Sequence, residues 1–262
     1  MNLTINLSKV ELKKSEDAVT GKMGLSWMTH AMKDFGIEKM ISDEYAAGSN
    51  REIEYFKKIM AGVMTRVAGG DRVEDVENLR VDQGLLESLG WEEIMSADTY
   101  LNLIKDKRTN AKIRRVNNQM VIKALRGLAE DGLTYDNDAT YFDSDKKSAE
   151  YSYQKSKQFS GLIGCIAELG MINTVDFRRG NVSPQTGVMN QLKKAVNQAK
   201  AAGKRIKDFR SDSAAYCMKV MAYCDVNEVN YFISADKDKA VRRTIAKIKA
   251  SQWQMLQGEY AK

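Results

Sequence analysis

The stretch that decides the fold is Leu133-Thr134-Tyr135-Asp136-Asn137-Asp138-Ala139-Thr140-Tyr141-Phe142. It is rich in threonine and aromatic residues, which favour a β-strand. Asp136 and Asp138 are two positions apart, so on a strand both side chains lie on the same face. A charged pair inside a strand costs free energy unless something compensates it, and a divalent cation is a common compensator. The alternative is that the pair lies at a strand end and forms a turn.

The 130 residues before this stretch have helical patterns. Apolar residues recur at intervals of three and four in Met23–Phe35, Glu52–Val67 and Ala111–Leu128, as in amphipathic helices. Asp71, with Glu74 three residues later, predicts a capping box for a short helix over Arg72–Leu79. The front of the chain is therefore predicted to be helical.

The residues after this stretch alternate between strand and helix patterns. Phe159–Leu169 and Met171–Phe177 predict two more strands with a turn at Gly170, and Thr186–Ala202 predicts a helix. The remaining elements are predicted to be a strand at Ile206–Arg210, a helix at Ser213–Cys224 and a strand at Asn230–Ala235. The predicted order is β-β-β-α-β-α-β, an α/β core behind a helical region, or α+β overall.

Composition excludes several classes of protein. The chain has 262 residues, enough for one large or two modest domains, with one histidine and three cysteines. This composition argues against a histidine-rich zinc site, a Ser-His-Asp triad and a disulfide framework, and a reducing compartment is expected. No apolar run reaches the roughly 18 residues of a membrane helix, so we expect no membrane partner.

The net charge of +6 is unevenly distributed. Residues 1–100 carry a net −6, whereas residues 101–262 carry +12 and contain two acidic islands at 131–154 and 211–235. This pattern is typical of a protein that binds a polyanion above a metal site, although an unevenly charged solvated surface is the alternative.

Asp212 lies in the second acidic island, where a predicted strand meets a predicted helix. Aspartate is a favoured helix N-cap, which gives one interpretation. In open α/β sheets, ligands also bind at the carboxyl ends of strands, which gives another. If the strands of Asp138 and Asp212 pair, the two carboxylates form half of a Mg²⁺ or Mn²⁺ site, since hard oxygen ligands favour these ions over zinc.

Several motifs, in order along the chain, resemble those of bacterial insertion-sequence transposases of the DDE type. They are Gly69-Gly70-Asp71-Arg72-Val73-Glu74-Asp75, Ser96-Ala97-Asp98-Thr99-Tyr100, Asp136-Asn137-Asp138-Ala139-Thr140, Arg179-Gly180-Asn181-Val182-Ser183-Pro184, Arg210-Ser211-Asp212-Ser213-Ala214-Ala215-Tyr216 and Asn230-Tyr231-Phe232-Ile233-Ser234-Ala235-Asp236. The resemblance covers most of the chain and implies an RNase H-like core interrupted by a β-rich insertion. It implies a helical DNA-binding and dimerisation region at 1–130, an incomplete core at 131–244 and the start of the insertion at 245–262.

The resemblance also implies a function. Asp138 matches the first catalytic acid and Asp212 the second, and both would hold Mg²⁺ or Mn²⁺. The third acid of the family, a glutamate on a later helix, has no match here, so we expect an N-terminal fragment. The implied reaction is DNA strand cleavage and transfer at the ends of a mobile element.

The implied partners are double-stranded DNA, at the element ends and the target, and a second copy in a homodimer. We expect a cytoplasmic, nucleoid-associated protein. Four basic residues flank the second and third strands and are candidates for phosphate contacts, although a solvated basic edge is the alternative; they are Lys155, Lys157, Arg178 and Arg179. A truncated, non-catalytic DNA-binding remnant or regulator, and a general RNase H-like nuclease, remain as alternative functions.

Overall fold

The computed structural model describes residues 17–45, 54–235 and 238–253. Within these ranges no helix is both long enough and apolar enough to cross a bilayer. The chain divides between Met120 and Val121 into two units, each with its own internal contacts.

The first unit is helical, as predicted. Its elements are α1 (Met23–Asp34), α2 (Ile37–Glu44), α3 (Tyr55–Val67), a 3-10 turn (Glu74–Val76), α4 (Glu77–Arg80), α5 (Gln83–Leu89), α6 (Ala97–Lys105) and the first part of α7 (Lys107–Arg126). The predicted helices at Met23–Phe35 and Glu52–Val67 correspond to α1 and α3, although Glu52 and Ile53 lie outside the described residues. The helices of this unit share one buried core, which includes Met60 and Met64 of α3 and Leu85 of α5.

The predicted capping box at Asp71 is wrong. The Asp75 carboxylate, not that of Asp71, accepts the hydrogen bond from the Arg72 backbone N–H at 2.7 Å, and the helical turn begins only at Glu74. The chain approaches itself closely at Gly70, where an added Cβ would lie 2.8 Å from Thr65 and 2.9 Å from Asp75. There is therefore no room for a side chain at Gly70.

The second unit is built on one mixed sheet. Its elements are β1 (Gly132–Asp143), β2 (Glu150–Tyr151), β3 (Lys157–Ile166), a 3-10 turn (Ala167–Leu169), β4 (Met171–Arg179), α8 (Val188–Ala201), β5 (Arg205–Ser211), a 3-10 turn (Ser213–Ala215), α9 (Met218–Val226), β6 (Asn230–Ile233), α10 (Lys239–Lys247) and a 3-10 turn (Ala250–Gln252). The strand order is β2-β3-β1-β5-β6, with β4 also paired to β3. β3 is antiparallel to β1 and β4, whereas β5 is parallel to β1 and β6.

This order of strands is the RNase H-like order that the resemblance implies. An antiparallel meander of three strands is followed by two parallel strands, each reached through a helix, in the predicted succession β-β-β-α-β-α-β with the two-residue β2 added. The predicted fold class, an α/β core behind an N-terminal helical region, is confirmed.

Both helices that connect the parallel strands pack on the same face of the sheet. Leu192 and Val196 of α8 and Val220 and Cys224 of α9 join the core over β1 and β5, which includes Phe209. Burial of this continuous apolar layer is the main force that holds the unit together.

The opposite face of the sheet is apolar and exposed to solvent. Phe142, Phe159 and Phe177 contact one another there, with ring centroids 5.0 to 6.3 Å apart. Phe177 is 65% exposed and Val175 is 53% exposed. Asp136 and Asp138 lie on this same face, because they pair with Cys165 and Ile163 of β3 in the register that brings Phe142 opposite Phe159.

A buried polar network lies under β1 on the face that α8 covers. The Tyr135 hydroxyl hydrogen-bonds Thr174 Oγ1 at 2.9 Å, and Asn137 donates to Gln191 Oε1 at 2.7 Å. Gln191 in turn donates to the Leu162 carbonyl at 2.9 Å. Burial raises the pKa of Tyr135, so the hydroxyl stays protonated and able to donate. The network fixes β1 with Tyr135 and Asn137 inward, so Asp136 and Asp138 face outward.

Candidate functional site

Asp138 lies near the middle of β1 with its carboxylate exposed. Its Oδ1 accepts a hydrogen bond from the backbone N–H of Ala139 at 2.7 Å. No other partner of this carboxylate is found among the described residues. Asp138 therefore presents oxygen lone pairs to the solvent from a rigid central strand.

Asp212 directly follows β5, in extended backbone conformation. Its Oδ1 accepts a hydrogen bond from the Ala214 backbone N–H at 2.9 Å, and it is the N-cap of the 3-10 turn Ser213–Ala215. The capping interpretation of Asp212 is therefore confirmed. A cap uses one carboxylate oxygen and leaves the other for a ligand, so the cap is compatible with the second interpretation as well.

The two aspartates follow the last paired residues of neighbouring strands. β1 and β5 are parallel, and their last paired residues are Asn137 and Ser211. The Ser211 hydroxyl donates to the Asn137 carbonyl at 2.9 Å. Asp138 and Asp212 are the next residues in the chain, Asp138 within β1 and Asp212 just after β5, and they follow strands whose backbones are about 4.8 Å apart. The strand pairing on which their proximity depends is confirmed; their catalytic role stays a prediction.

Asp136, by contrast, has a cationic partner. Arg210 lies directly opposite it in the register of β1 and β5. Arg210 Nε donates to Asp136 Oδ1 and Arg210 Nη2 donates to Asp136 Oδ2, both at 2.6 Å. Hydrogen bonding to Asp136, together with the charge of that carboxylate, raises the pKa of Arg210. The cost of placing Asp136 in a strand is thus offset by an arginine rather than by a divalent metal ion.

Sequence reasoning missed the role of Arg210. The signal was present, because Arg210 precedes Asp212 by two residues just as Asp136 precedes Asp138. It could be recognised only with the register of two strands that are 74 residues apart in the chain.

Two carboxylates are fewer than a closed metal site needs. Over residues 17–45, 54–235 and 238–253, no group of three or more His, Cys, Asp or Glu side chains could hold a metal ion. Glu168, the nearest glutamate in sequence to β3, accepts hydrogen bonds from the Thr134 backbone N–H at 2.9 and 3.0 Å. The third acid that the resemblance implies has no counterpart in this part of the chain.

The four predicted DNA-contact residues have different surroundings. Lys155 is in the turn before β3 with a φ of 62°, and Lys157 begins that strand. Arg179 lies 3.8 Å from Glu150 in an exposed ion pair, worth little in water. Lys155, Lys157 and Arg179 are therefore accessible to a phosphate.

Arg178 is directed into the protein instead. Its guanidinium donates to Ser160 Oγ at 2.9 Å and to the Thr186 carbonyl, which ties β4 to the loop before α8. Burial lowers the pKa of Arg178. Most of its donors are occupied, although the assignment of all four residues to DNA stays a prediction.

Two tyrosines extend this basic edge. Tyr151 and Tyr153 are 69% and 70% exposed. The ring of Tyr153 makes a T-shaped contact with that of Tyr141, and their centroids are 5.4 Å apart. Burial raises the pKa of Tyr141, and the neighbouring Tyr153 adds to the effect. An exposed aromatic and basic edge thus lies in the same unit as the acidic pair.

Comparison with solved structures finds remote likenesses, of which the three given next have identities of 10 to 13%. A piggyBac transposase in a synaptic complex with hairpin DNA matches with a TM-score of 0.41 at 12% identity, over 87% of this chain and 54% of that one. A Mos1 mariner paired-end complex with Mn matches with a TM-score of 0.27 at 10% identity, over 88% and 75%. The HTLV-2 integrase catalytic core in complex with magnesium (trimeric form) matches with a TM-score of 0.27 at 13% identity, over 46% and 68%.

These TM-scores are all below 0.5, so the fold assignment rests on the observed order of strands. Among curated proteins, no sequence relative was found. The profile of the family described as "Transposase DDE domain group 1" matches residues 4–260. That range contains nearly the whole chain, including Asp138 and Asp212, and it confirms the resemblance drawn from the motifs. The chain therefore belongs to the DDE transposase family, domain group 1.

Proposed function

We propose that this protein is the DNA transposase of a bacterial insertion sequence, which cleaves DNA strands at the ends of the element and transfers them to a target. The single observation that carries the proposal is that Asp138 and Asp212 directly follow the last paired residues of two adjacent parallel strands, in a chain that belongs to a transposase family. A homodimer on double-stranded DNA is part of the proposal, because the two ends of an element must be held together.

The residues at this position suit Mg²⁺ or Mn²⁺. Both side chains are carboxylates, the hard oxygen ligands that these ions prefer. Each has one hydrogen bond from a backbone N–H, which orients the group while leaving lone pairs available. Asp138 and Asp212 would hold the ion, which when bound supplies a nucleophile at neutral pH and stabilises the oxygens of an in-line phosphoryl displacement.

The chain's own residues would orient the DNA. Lys155, Lys157 and Arg179 present positive charge at the edge of the sheet formed by β2, β3 and β4, where phosphates of the element end would bind. The exposed rings of Tyr151 and Tyr153 are available to stack on an unpaired base. Phosphate contacts set the register of the DNA, so that a scissile phosphate meets the two aspartates.

A second function is favoured by one specific observation. No third carboxylate joins Asp138 and Asp212 in the part of the chain that the structure describes. A protein with this arrangement would bind element ends without cutting them and would regulate transposition as a non-catalytic remnant.

A nicking assay separates the two functions. The 262-residue chain is incubated with supercoiled plasmid that carries element ends, with Mg²⁺ or Mn²⁺ and with chelator as control. Cation-dependent nicking supports the transposase, whereas tight end binding without nicking supports the remnant. Equal nicking of plasmids without ends would instead favour a general nuclease.

We predict that Lys155→Gln and Lys157→Gln weaken binding to double-stranded DNA and lower its salt dependence. Each lost phosphate contact should reduce the slope of log K against log salt by about 1, because one fewer counterion is released. Fluorescence anisotropy with a labelled duplex at several salt concentrations measures the slope. Lys39→Gln is the control, since Lys39 is an exposed lysine within residues 1–100, which carry a net negative charge, and lies 3.9 Å from Asp43.

An unchanged slope in both Lys155→Gln and Lys157→Gln would refute the assignment of this edge to DNA. Arg178→Gln should behave differently from the lysine variants. Because its guanidinium hydrogen-bonds Ser160 and the loop before α8, its loss should lower the melting temperature. The slope of log K against log salt should change less than it does in the lysine variants.

A further inference from the structure

The Asp136–Arg210 ion pair has the geometry of a cross-strand tie. The two residues are directly opposite on parallel strands. Two parallel hydrogen bonds of 2.6 Å join the guanidinium to the carboxylate, the bidentate arrangement that a lysine cannot reproduce. An exposed ion pair with a single contact is weak, but the fork geometry fixes both the distance and the relative orientation of the two strands.

Each residue of the ion pair lies two positions before one of the two candidate metal ligands. Asp136 precedes Asp138 by two residues on β1, and Arg210 precedes Asp212 by two residues at the end of β5. Residues two apart on a strand lie on the same face, about 6 to 7 Å apart. The ion pair therefore lies one strand repeat before both carboxylates.

The tie adds a side-chain contact to the backbone pairing of β1 and β5, which runs from Gly132 to Asn137 on β1. That register ends at Asn137 and Ser211, where the Ser211 hydroxyl donates to the Asn137 carbonyl. The Asp136–Arg210 pair and this hydrogen bond are therefore the side-chain contacts between the two strands next to Asp138 and Asp212.

We propose that Asp136 and Arg210 are positioning residues, which help to set the spacing of Asp138 and Asp212 at the ends of β1 and β5. This inference rests on the proposed function, because it requires that Asp138 and Asp212 bind a divalent cation. Its distinct content is that a residue with no contact to the ion controls the affinity for it.

Two single variants distinguish a positioning role from a purely electrostatic effect on Mn²⁺ binding. Arg210→Gln removes a positive charge near the site, so simple electrostatics would strengthen Mn²⁺ binding. Asp136→Asn removes a negative charge, so simple electrostatics would weaken it. If the pair is a tie, both variants weaken Mn²⁺ binding, by about tenfold or more, as loss of a supporting partner does in other metal sites.

Binding is measured by electron paramagnetic resonance titration of Mn²⁺ into the full chain, with circular dichroism to check the fold. Lys207→Gln and Asp208→Asn are matched controls on β5. Lys207 is exposed, and Asp208 bonds Asn230 of β6 at 2.9 Å rather than β1. Both controls make the same changes of charge as the tie variants but leave the Asp136–Arg210 pair intact. They should therefore bind Mn²⁺ within about twofold of the unaltered chain.

Arg210→Lys keeps the charge and is the variant to use if Arg210→Gln does not fold. It should still weaken Mn²⁺ binding, because one ammonium cannot make both hydrogen bonds. The double exchange Asp136→Arg with Arg210→Asp restores the fork and should recover part of the affinity. Recovery would not occur if the single variants had merely damaged the fold.

The outcomes are distinguishable from failure of the proposed function. If the unaltered chain binds no Mn²⁺ that depends on Asp138, both proposals fail. If it does bind, and Arg210→Gln or Arg210→Lys binds as tightly or more tightly, the tie is overturned while the metal site stands. Weaker binding by both Asp136→Asn and a folded Arg210 variant supports the tie.

Discussion

Asp138→Ala is expected to reduce cation-dependent DNA strand cleavage by about three orders of magnitude while leaving DNA binding nearly unchanged. Loss of a metal ligand removes several kcal/mol of transition-state stabilisation, and about 4 kcal/mol corresponds to that factor. The Asp138 carboxylate is exposed and bonds only to its neighbour's N–H among the described residues, so its removal should not disturb β1. Cleavage is measured as nicking of a plasmid with element ends, and binding by anisotropy.

Asp225→Ala is the matched control for this experiment. Asp225 is an exposed aspartate of α9, so the variant makes the same change of charge and chemistry away from the acidic pair. It should cleave as the unaltered chain does. Cleavage retained by Asp138→Ala, with binding intact, would remove Asp138 from the active site and would contradict the assignment of the site as a whole.

Gly164→Ala is expected to have the largest effect on stability, a loss of about 3 kcal/mol in the free energy of unfolding. Gly164 lies on β3 opposite Asn137. An added Cβ would overlap the Tyr135 hydroxyl and Thr174 Oγ1, which hydrogen-bond each other within the buried network. The methyl group would either break that bond or push β3 away from β1.

The control is Gly161→Ala on the same strand. There an added Cβ would lie 3.1 Å from the Phe142 ring, a side chain that is 47% exposed and free to move. Its cost should stay below about 1 kcal/mol. Urea denaturation of both variants, followed by circular dichroism, measures the difference. Equal costs would show that the close contact at Gly164 does not matter to stability.

Much of the fold could be predicted because its signals are local. The β1 stretch, the turn at Gly170 and the helix that became α8 each have a pattern within about 15 residues. Gly170 has a φ of 57°, a conformation that glycine adopts without strain. For such elements, side-chain periodicity and turn chemistry agree with the tertiary structure.

Where tertiary contacts override the local pattern, prediction fails. The helix predicted at Ser213–Cys224 is interrupted, because Tyr216 and Cys217 leave the helical conformation between the 3-10 turn and α9. Cys217, with φ −147° and ψ 128°, is in extended conformation directly before α9. The two-residue strand β2 has too few residues for any periodic signal.

The candidate site was predictable in part for the same reason. Asp138 and Asp212 could be selected from local patterns and from the resemblance, whereas the pairing of Asp136 with Arg210 depends on the register of distant strands. The inward direction of Arg178 depends on the loop before α8. The local sequence therefore identifies candidate ionisable residues, whereas their hydrogen-bond partners can be identified only once the strand register of the sheet is known.

The most direct test of the central claim is Mn²⁺ binding by the unaltered chain and by Asp138→Asn, Asp212→Asn and the double variant, measured by electron paramagnetic resonance. The account predicts that the unaltered chain binds Mn²⁺ and that each single variant weakens this binding by at least about tenfold, since each removes one of two ligands that follow the paired residues of adjacent strands. The double variant, which lacks both ligands, should bind at least as weakly as either single variant. Mn²⁺ binding that is unchanged in the double variant would contradict the assignment of Asp138 and Asp212 as the metal ligands.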